Sequence, residues 1–196
     1  MAPAQNPHVP TVRSARPMSV LAQRLLAVHD ALDEAELPHA FGGAIALAYC
    51  TQEPRGTRDL DVNVFVGTDR ADEVLDAMPG GVKVTRADRT AARRDGQVRV
   101  LWGDTPVDVF LDTHAFHREA AAGAVEVPFE GTTIPVLGAD ALIVFKAMFN
   151  RTKDWADIEA ILEVGAVDAQ PVLARLRSLL GEADPAVVRL AGLVRR

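Results

Sequence analysis

The sequence predicts an α/β (α+β) protein, because strand-like and helix-like segments alternate up to about residue 137 and only helix-like segments follow. The chain has 196 residues, enough for one well-packed domain or for a domain with a helical extension, and its apolar content of 48% is typical of a globular protein. We divide it into a flexible tail over 1–17, a core over 18–138 and a C-terminal helical region over 139–196.

Periodicity and turn residues define the elements in order. Apolar residues at helical spacing predict a first helix over about 19–37, with Ser19 as its N-cap. A glycine pair, Gly42-Gly43, directly precedes an alanine-rich helical segment. The later predicted elements are a strand over 59–66, a helix near 71–78, strands near 82–85, 98–101, 107–111 and 132–137, and helices at about 139–150, 153–164, 169–180 and 185–194.

The first 17 residues contain four of the twelve prolines and no acidic residue. They lack the apolar region of a secretory signal, so we expect a disordered or partner-ordered tail. No apolar run in the chain approaches the roughly 18 residues that span a membrane. The single cysteine, Cys50, excludes an intramolecular disulfide and is expected to pack as a small hydrophobic residue. A cytoplasmic location fits these observations.

Carboxylates at alternate positions mark the first candidate for chemistry. In a strand, Asp59, Asp61 and Asn63 share one face. Two carboxylates about 6–7 Å apart along a strand repel each other, and one protonates unless a cation lies between them. Magnesium prefers such oxygen ligands. Alone, the pattern also fits a solvated edge strand.

A third carboxylate lies in a second strand, where Asp108 interrupts an apolar run. The segment before it is joined through 103–106, which has turn composition, so the two strands are predicted to form a hairpin. A lone acid in an apolar strand is costly to bury unless it is paired or binds a metal. Asp112 has the same parity and is an alternative to Asp108. Three carboxylates on neighbouring strands can hold two magnesium ions.

Glycines and basic residues add features of a phosphate site. Gly42 and Gly43 allow close backbone approach to a ligand, and free N–H groups at a helix start attract phosphate, although a glycine pair alone also fits a plain turn. Arg55 and Arg58 flank the entrance to the Asp59 strand and suit phosphate contacts. Lys146 is the one cation of an apolar helix, where it either reaches a triphosphate or extends to solvent.

The net charge of −6 argues against overall nucleic-acid coating, but charge is uneven. Arginines cluster between positions 86 and 99 in a predicted loop, which either neutralises RNA phosphates or is simply solvated. His114 and His117 have helical spacing without a third ligand, so we expect surface histidines rather than a zinc site.

Together these residues resemble the nucleotidyltransferase superfamily that includes DNA polymerase beta, and within it the AbiEii/MenT-like toxins of toxin–antitoxin systems. The similarity extends roughly from Phe41 to Asp157. The glycine–aspartate part points to the superfamily and the lysine–aspartate part to the toxin branch. The matching pieces are Gly42-Gly43-Ala44, Arg55-x-Thr57-x-Asp59-Leu60-Asp61, Val107-Asp108-Val109-Phe110, and Lys146 with Arg151-x-Lys153-Asp154-x-x-Asp157.

The resemblance implies a nucleotidyltransferase fold, with a small mixed sheet flanked by helices and a C-terminal helical region. It implies that three carboxylates bind Mg²⁺ (or Mn²⁺) and are catalytic, and that seven residues bind the nucleotide. One departure is that Gly43 stands where members often have serine, which leaves a backbone-only phosphate site. The implied metal ligands are Asp59, Asp61 and Asp108; the implied nucleotide-binding residues are Gly42, Gly43, Arg55, Thr57, Lys146, Lys153 and Asp154.

For function, the resemblance implies transfer of a nucleoside monophosphate from an NTP to the 3′ end of tRNA, which blocks aminoacylation, with an antitoxin protein as partner. Two alternatives remain open. The acceptor could instead be a small hydroxylated molecule such as an aminoglycoside or a lincosamide antibiotic. The protein could also be a non-catalytic nucleotide-binding module, although the presence of all three carboxylates argues against this.

Overall fold

A seven-stranded mixed sheet, flanked by helices, forms the centre of the computed structural model, which describes residues 18–195. The predicted tail over 1–17 lies outside the described residues. The strands are β1 (His39–Phe41), β2 (Leu60–Gly67), β3 (Val82–Lys83), β4 (Gln97–Trp102), β5 (Thr105–Asp112), β6 (Val125–Phe129) and β7 (Thr132–Val136). The α-helices within 18–195 are α1 (Val20–Glu34), α2 (Gly43–Thr51), α3 (Ala71–Ala77), α4 (Arg86–Asp95), α5 (Phe116–Ala122), α6 (Ala139–Phe149), α7 (Thr152–Glu163), α8 (Ala169–Leu180) and α9 (Pro185–Val194).

The sheet has the order β3-β4-β5-β2-β1-β7-β6, so β2 and β5 are interior neighbours. They run parallel, as do β1 and β7, while the other adjacent strands are antiparallel. This mixed sheet with flanking helices confirms the predicted fold class. Within residues 18–195, none of the helices has both the length and the apolar character needed to cross a bilayer.

Buried apolar residues alternate with more exposed residues along β2 and β5, which explains the central position of these strands. Leu60, Val62 and Val64 are fully buried, and the alternate positions of β5 are buried as well. Because the side-chain period of a strand is two, burying these apolar sets leaves the intervening acids on the opposite face. The register pairs Asp61 directly with Asp108.

Short elements and a polar helix depart from the predictions. The segment expected as an arginine-rich loop is helix α4, which begins with a capping box between Thr85 and Asp88 and ends at Gly96 in the left-handed region. Its only buried residue is Ala92, so it lacks the apolar stripe by which a helix is recognised in a sequence. The short elements β1, α5 and β6 have only three to seven residues each and were not predicted.

The hydrophobic pattern located the longer elements well. The hairpin joining β4 to β5 is present, with a tighter turn than the predicted 103–106. Ser19 caps α1 as predicted, but the helix ends earlier than position 37, because Glu36 has a positive φ and Pro38 follows. The four C-terminal helices begin and end within one residue of their predicted bounds, and α6 packs against α2, α7, α8 and α9.

The connection between α6 and α7 is held tightly. Asn150 ends α6 in the left-handed conformation, with φ of 54°, and its side-chain oxygen accepts a 2.7 Å hydrogen bond from Nε1 of the buried Trp155. Arg151 follows and pairs with Asp154, which lies in the first turn of α7. The side chains at the end of α6 are therefore presented from a fixed backbone.

We expect Asn150→Ala to lower the free energy of unfolding by about 2 kcal/mol, because it removes the partner of the indole N–H and replaces asparagine with alanine, which tolerates the left-handed conformation less well. Asn150→Gly keeps the backbone conformation at low cost and should lose about 1 kcal/mol, mostly from the missing hydrogen bond. Urea unfolding of both variants measures the difference. Equal losses in the two variants would contradict the backbone contribution.

Candidate active site

The three predicted carboxylates meet at the beginning of β2 and β5. Strand β2 starts at Leu60, one residue later than predicted, so Asp59 precedes the strand instead of belonging to it. Asp61 and Asp108 are partners across adjacent parallel strands. Asp112 lies at the far end of β5, with Oδ1 3.7 Å from Nδ1 of His117, which leaves Asp108 as the acid beside Asp61.

The environments of the acids differ. Burial, together with the neighbouring Asp108 and Asp59 carboxylates, raises the pKa of Asp61 to about 6. For Asp59, burial also acts to raise the pKa, but a 2.5 Å hydrogen bond from the Thr57 hydroxyl and the charge of Lys153 outweigh it, so the pKa lies below its usual range. The site therefore concentrates negative charge around one half-buried carboxyl that a cation would help to ionise.

Arg99 belongs to the arginine cluster of the sequence and was not predicted as a site residue. It lies opposite Asp108 in the β4–β5 hairpin and donates from Nε and Nη2 to the two Asp108 oxygens, at 2.7 and 2.6 Å. These hydrogen bonds raise the pKa of Arg99 above its ordinary value. The predicted hairpin register could have revealed this pair, because positions 99 and 108 face each other across it.

The donor set fits a magnesium ion that is held jointly with substrate. Within residues 18–195, no three side chains of His, Cys, Asp or Glu converge into a preformed metal site. Magnesium usually binds through one or two carboxylates plus substrate phosphates, rather than in an all-protein cage. Asp61 and Asp108, adjacent in register and with Asp59 close by, supply such a carboxylate pair.

The surroundings of Gly43 explain why this chain has glycine where members of the similar superfamily often have serine. Its φ is +52°, and a β-carbon built there would overlap the Asp61 carboxylate. Gly42 donates its N–H to the carbonyl of Asp61 at 2.8 Å, which ties the start of α2 to β2. No side chain caps this helix, so its first N–H groups remain directed at a ligand beside the carboxylates.

These residues line one open cavity of about 520 Å³, which we call the polar cleft. Nine of the ten predicted site residues line it, and Gly42 lines an adjoining inner pocket of about 310 Å³. The two spaces share Gly43, Asp61, Lys146 and Arg151. The nine residues are Gly43, Arg55, Thr57, Asp59, Asp61, Asp108, Lys146, Lys153 and Asp154.

Behind the cleft, two buried acids organise its cations. Asp157 Oδ2 accepts from Lys146 Nζ at 2.6 Å and from Arg55 Nη2 at 3.0 Å. Lys146 is itself buried, so it faces the cleft and does not extend to bulk solvent. Asp154 is fully buried, and its two oxygens are bound by Arg151. Asp154, which also lines the polar cleft, therefore holds Arg151 in position, and its contact with the nucleotide stays a prediction.

The arginines of α4 are largely neutralised by acids. Arg89 pairs with Asp72 and Asp76, Arg93 pairs with Asp72, and Arg94 pairs with its neighbour Asp95. The segment therefore presents much less free positive charge than its composition suggests.

The two histidines differ in exposure. His114 is exposed, as expected, but the prediction of a surface residue was wrong for His117, which is buried in α5 with its ring centroid 5.1 Å from that of Phe145. Burial lowers the pKa of His117. Its chain neighbours Arg118 and Glu119 are charged, so the local sequence is typical of a helix surface.

Solved structures with the same fold are known. The structure of ANT(2")-Ia in complex with adenylyl-2"-tobramycin is 18% identical, with a TM-score of 0.60 over 82% of this chain and 97% of that one. An antigenic nucleotidyltransferase-like protein from Paracoccidioides brasiliensis is 14% identical, with a TM-score of 0.52 over 92% and 95%. The lincomycin-bound lincosamide antibiotic adenylyltransferase LnuA is 11% identical, with a TM-score of 0.50 over 71% and 94%.

These similarities show that the chain has the nucleotidyltransferase fold, as predicted. No protein-family model and no curated protein matches the sequence.

We expect Gly43→Ala to disrupt the site, because the added methyl group overlaps the Asp61 carboxylate and the residue has a positive φ. The free energy of unfolding should fall by about 2 kcal/mol or more. Urea unfolding measures this. Gly56→Ala is the matched control, because a β-carbon there meets nothing within 4 Å. Equal stability of the two variants would contradict the proposed crowding.

The raised pKa of Asp61 predicts a pH-dependent cost of folding. The unfolded carboxyl ionises near pH 3.8 and the folded one near pH 6, so stability falls as pH rises through this interval. Asp61→Asn removes the charge, and its stability relative to the unsubstituted protein should increase by about 1.4 kcal/mol between pH 5 and pH 8 in EDTA. Urea unfolding at both pH values measures this. Asp30→Asn, at an exposed position of α1, is the control.

Added Mn²⁺ should reduce the pH effect, because a divalent cation favours the ionised carboxyl. An Asp61→Asn difference that is independent of both pH and metal would contradict the account.

Proposed function

We propose that this protein transfers a nucleoside monophosphate from an NTP to a hydroxyl group. The observation that carries the proposal is the in-register pair Asp61–Asp108 beside the uncapped start of α2. It combines a divalent-cation site with a phosphate site within one cleft. The nucleotidyltransferase fold is consistent with this chemistry.

The donor triphosphate lies in the polar cleft in this proposal. The free N–H groups at Gly43 and the cations Arg55, Lys146 and Lys153 surround the space in which its charge would lie. Asp157 fixes two of these cations, which limits their reorganisation when the nucleotide binds. Mg²⁺ bound by Asp61 and Asp108, with Asp59 adjacent, would lower the pKa of the attacking hydroxyl and neutralise charge on the leaving pyrophosphate.

In the transfer step, the acceptor oxygen forms a bond to the α-phosphorus, and the bond between that phosphorus and the α–β bridging oxygen breaks to release pyrophosphate. The hydroxyl proton passes to the Asp108 carboxylate. Arg99 holds both oxygens of this carboxylate and therefore sets its orientation. Most of the catalysis is positioning and charge neutralisation, which suits a site made of fixed ion pairs.

For the acceptor, we propose the 3′ end of tRNA, so that the protein acts as a toxin neutralised by a cognate antitoxin. The proposal is supported by the resemblance of the Lys146 to Asp157 segment to AbiEii/MenT-like toxins. Arg58, Arg151 and Lys153 are exposed residues that line the cleft and can meet a polyanionic acceptor.

A small-molecule acceptor is the second candidate. It is favoured by the similarity in fold to ANT(2")-Ia, seen with adenylylated tobramycin, and to the lincosamide adenylyltransferase LnuA. The overall acidic charge of −6 would also attract a cationic antibiotic.

The test is a set of incubations of purified protein with Mg²⁺ or Mn²⁺ and each α-³²P-labelled NTP in turn, with total tRNA, tobramycin or lincomycin as acceptor. We expect label on tRNA. Asp61→Asn should reduce the rate by at least about 10³-fold, because it removes a charged metal ligand. Asp30→Asn should retain the full rate.

Label on an antibiotic but not on tRNA would select the second candidate. An absence of label from every acceptor, with NTP bound, would favour the non-catalytic module. Induced expression in bacteria provides a second readout: growth should stop with the unsubstituted protein and continue with Asp61→Asn. Unaffected growth would contradict the toxin proposal but not nucleotidyl transfer itself.

A further inference from the structure

Two phenylalanines lie side by side next to the catalytic carboxylates. Phe110 follows Asp108 on the same face of β5, and Phe149 is the last residue of α6. Their ring centroids are 5.6 Å apart, and the rings are tilted by 57°. Phe149 is 42% exposed, although large aromatic side chains are usually buried.

The exposed ring is held in place. Asn150 and its hydrogen bond from Trp155 fix the backbone directly after Phe149. The Arg151 guanidinium lies 4.9 Å from the centroid of the Phe149 ring, and Asp154 binds its Nε and Nη2. A rigid, partly exposed ring loses little conformational entropy when a planar ligand stacks on it.

Both phenylalanines line an outer pocket of about 460 Å³ that also contains Asp61, Asp108, Arg99 and Arg151. The outer pocket and the polar cleft therefore meet at the two carboxylates. Among the described residues that line the outer pocket, none belongs to the glycine turn or to the cations that surround the donor triphosphate. Phe110 and Phe149 also line the inner pocket, together with Gly42, Gly43 and Lys146, so the two rings border both the donor residues and the outer pocket.

We infer that the outer pocket binds the terminal nucleotide of an RNA acceptor, with its base stacked on Phe149 and its ribose hydroxyl directed to Asp108. This rests on the proposed nucleotidyl transfer and deepens it by assigning the acceptor subsite. Bases of single-stranded RNA ends are bound by stacking on aromatic rings and by arginine contacts to phosphates.

The polar residues of the outer pocket fit this ligand. Arg99 and Arg151 use Nε and Nη2 to bind their aspartates, so the Nη1 donors of both lie outside these bonds and can meet a phosphodiester. Gln97 lines the same pocket and offers hydrogen-bonding groups to the edge of a base.

A polycationic small molecule fits the outer pocket less well. Of its acids, Asp95 is already bound by Arg94, and Asp88 caps α4 through Thr85. Asp108 is neutralised by Arg99. The pocket therefore lacks the excess of free carboxylates that would attract several amino groups.

The experiment measures binding of a fluorescently labelled RNA hairpin with a four-nucleotide single-stranded 3′ end, by anisotropy and without NTP. Phe149→Ala should weaken binding by roughly ten-fold, because a stacking partner is lost. Phe149→Trp should restore or strengthen binding. Val188→Ala, which truncates an exposed apolar residue of α9, is the matched control and should bind like the unsubstituted protein.

Binding of Mn²⁺-ATP, measured by calorimetry, separates this inference from the proposed function. We expect Phe149→Ala to keep the ATP affinity within about two-fold of the unsubstituted protein. A ten-fold loss of ATP affinity with unchanged RNA binding would overturn the inference, because the ring would then serve the donor base. RNA binding that is insensitive to Phe149, or binding of tobramycin in place of RNA, would also overturn it.

Failure of the unsubstituted protein to bind ATP with metal would contradict the proposed function. RNA binding that depends on Phe149 would still show the stacking subsite in that case. Circular dichroism of Phe149→Ala and Phe149→Trp establishes that both variants are folded.

Discussion

The site depends on one electrostatic constraint, which is that parallel pairing of β2 and β5 places Asp61 and Asp108 side by side. The apolar residues that alternate with these acids along β2 and β5 must be buried. A shift of the register by one residue would therefore turn the apolar side chains of a whole strand toward the opposite face of the sheet. Two adjacent carboxylates are unfavourable in the absence of cations, and the raised pKa of Asp61 expresses this cost. The surrounding residues can be understood as responses to that charge.

These responses occur at three places around the pair. Arg99 neutralises Asp108 from the neighbouring strand, and Gly43 leaves room for the Asp61 carboxylate where a side chain would overlap it. Farther back, Lys146 is held by Asp157. Buried ion pairs cost desolvation energy and often add little net stability, so their presence here is consistent with a role in the proposed function. In that proposal they prepare an environment for a polyanion and its cation.

The same arrangement separates the two proposed substrates. Cations tied to α6 and α7 surround the proposed donor side, while Phe110 and Phe149 line the outer pocket proposed for the acceptor and also border the inner pocket. The short α6–α7 connection contributes to both, since Arg151 lines each space and Asn150 sets the backbone after Phe149. The α6–α7 connection thereby links the position of the C-terminal helices to the positions of the side chains around Asp61 and Asp108.

The sequence by itself determined the order of the long elements, the hairpin and nine of the residues that line the polar cleft. These follow from local periodicity, turn residues and the placement of charged side chains in apolar segments. The short strands, the polar helix α4 and the burial of His117 could not be predicted, because they depend on neighbours that are distant in the chain. Strand pairing likewise decided that Asp108, and not Asp112, adjoins Asp61.

Only the tertiary structure decided which charges remain available to a ligand. The arginines of α4 bind acids from α3 and from their own helix, and Asp154 lies behind Arg151. The sequence shows which side chains are charged. Whether a charged side chain can attract a ligand depends on whether an oppositely charged partner lies a few ångströms away. For the same reason, the exposed Phe149 ring beside Asp108 became visible only when α6 and β5 were placed together.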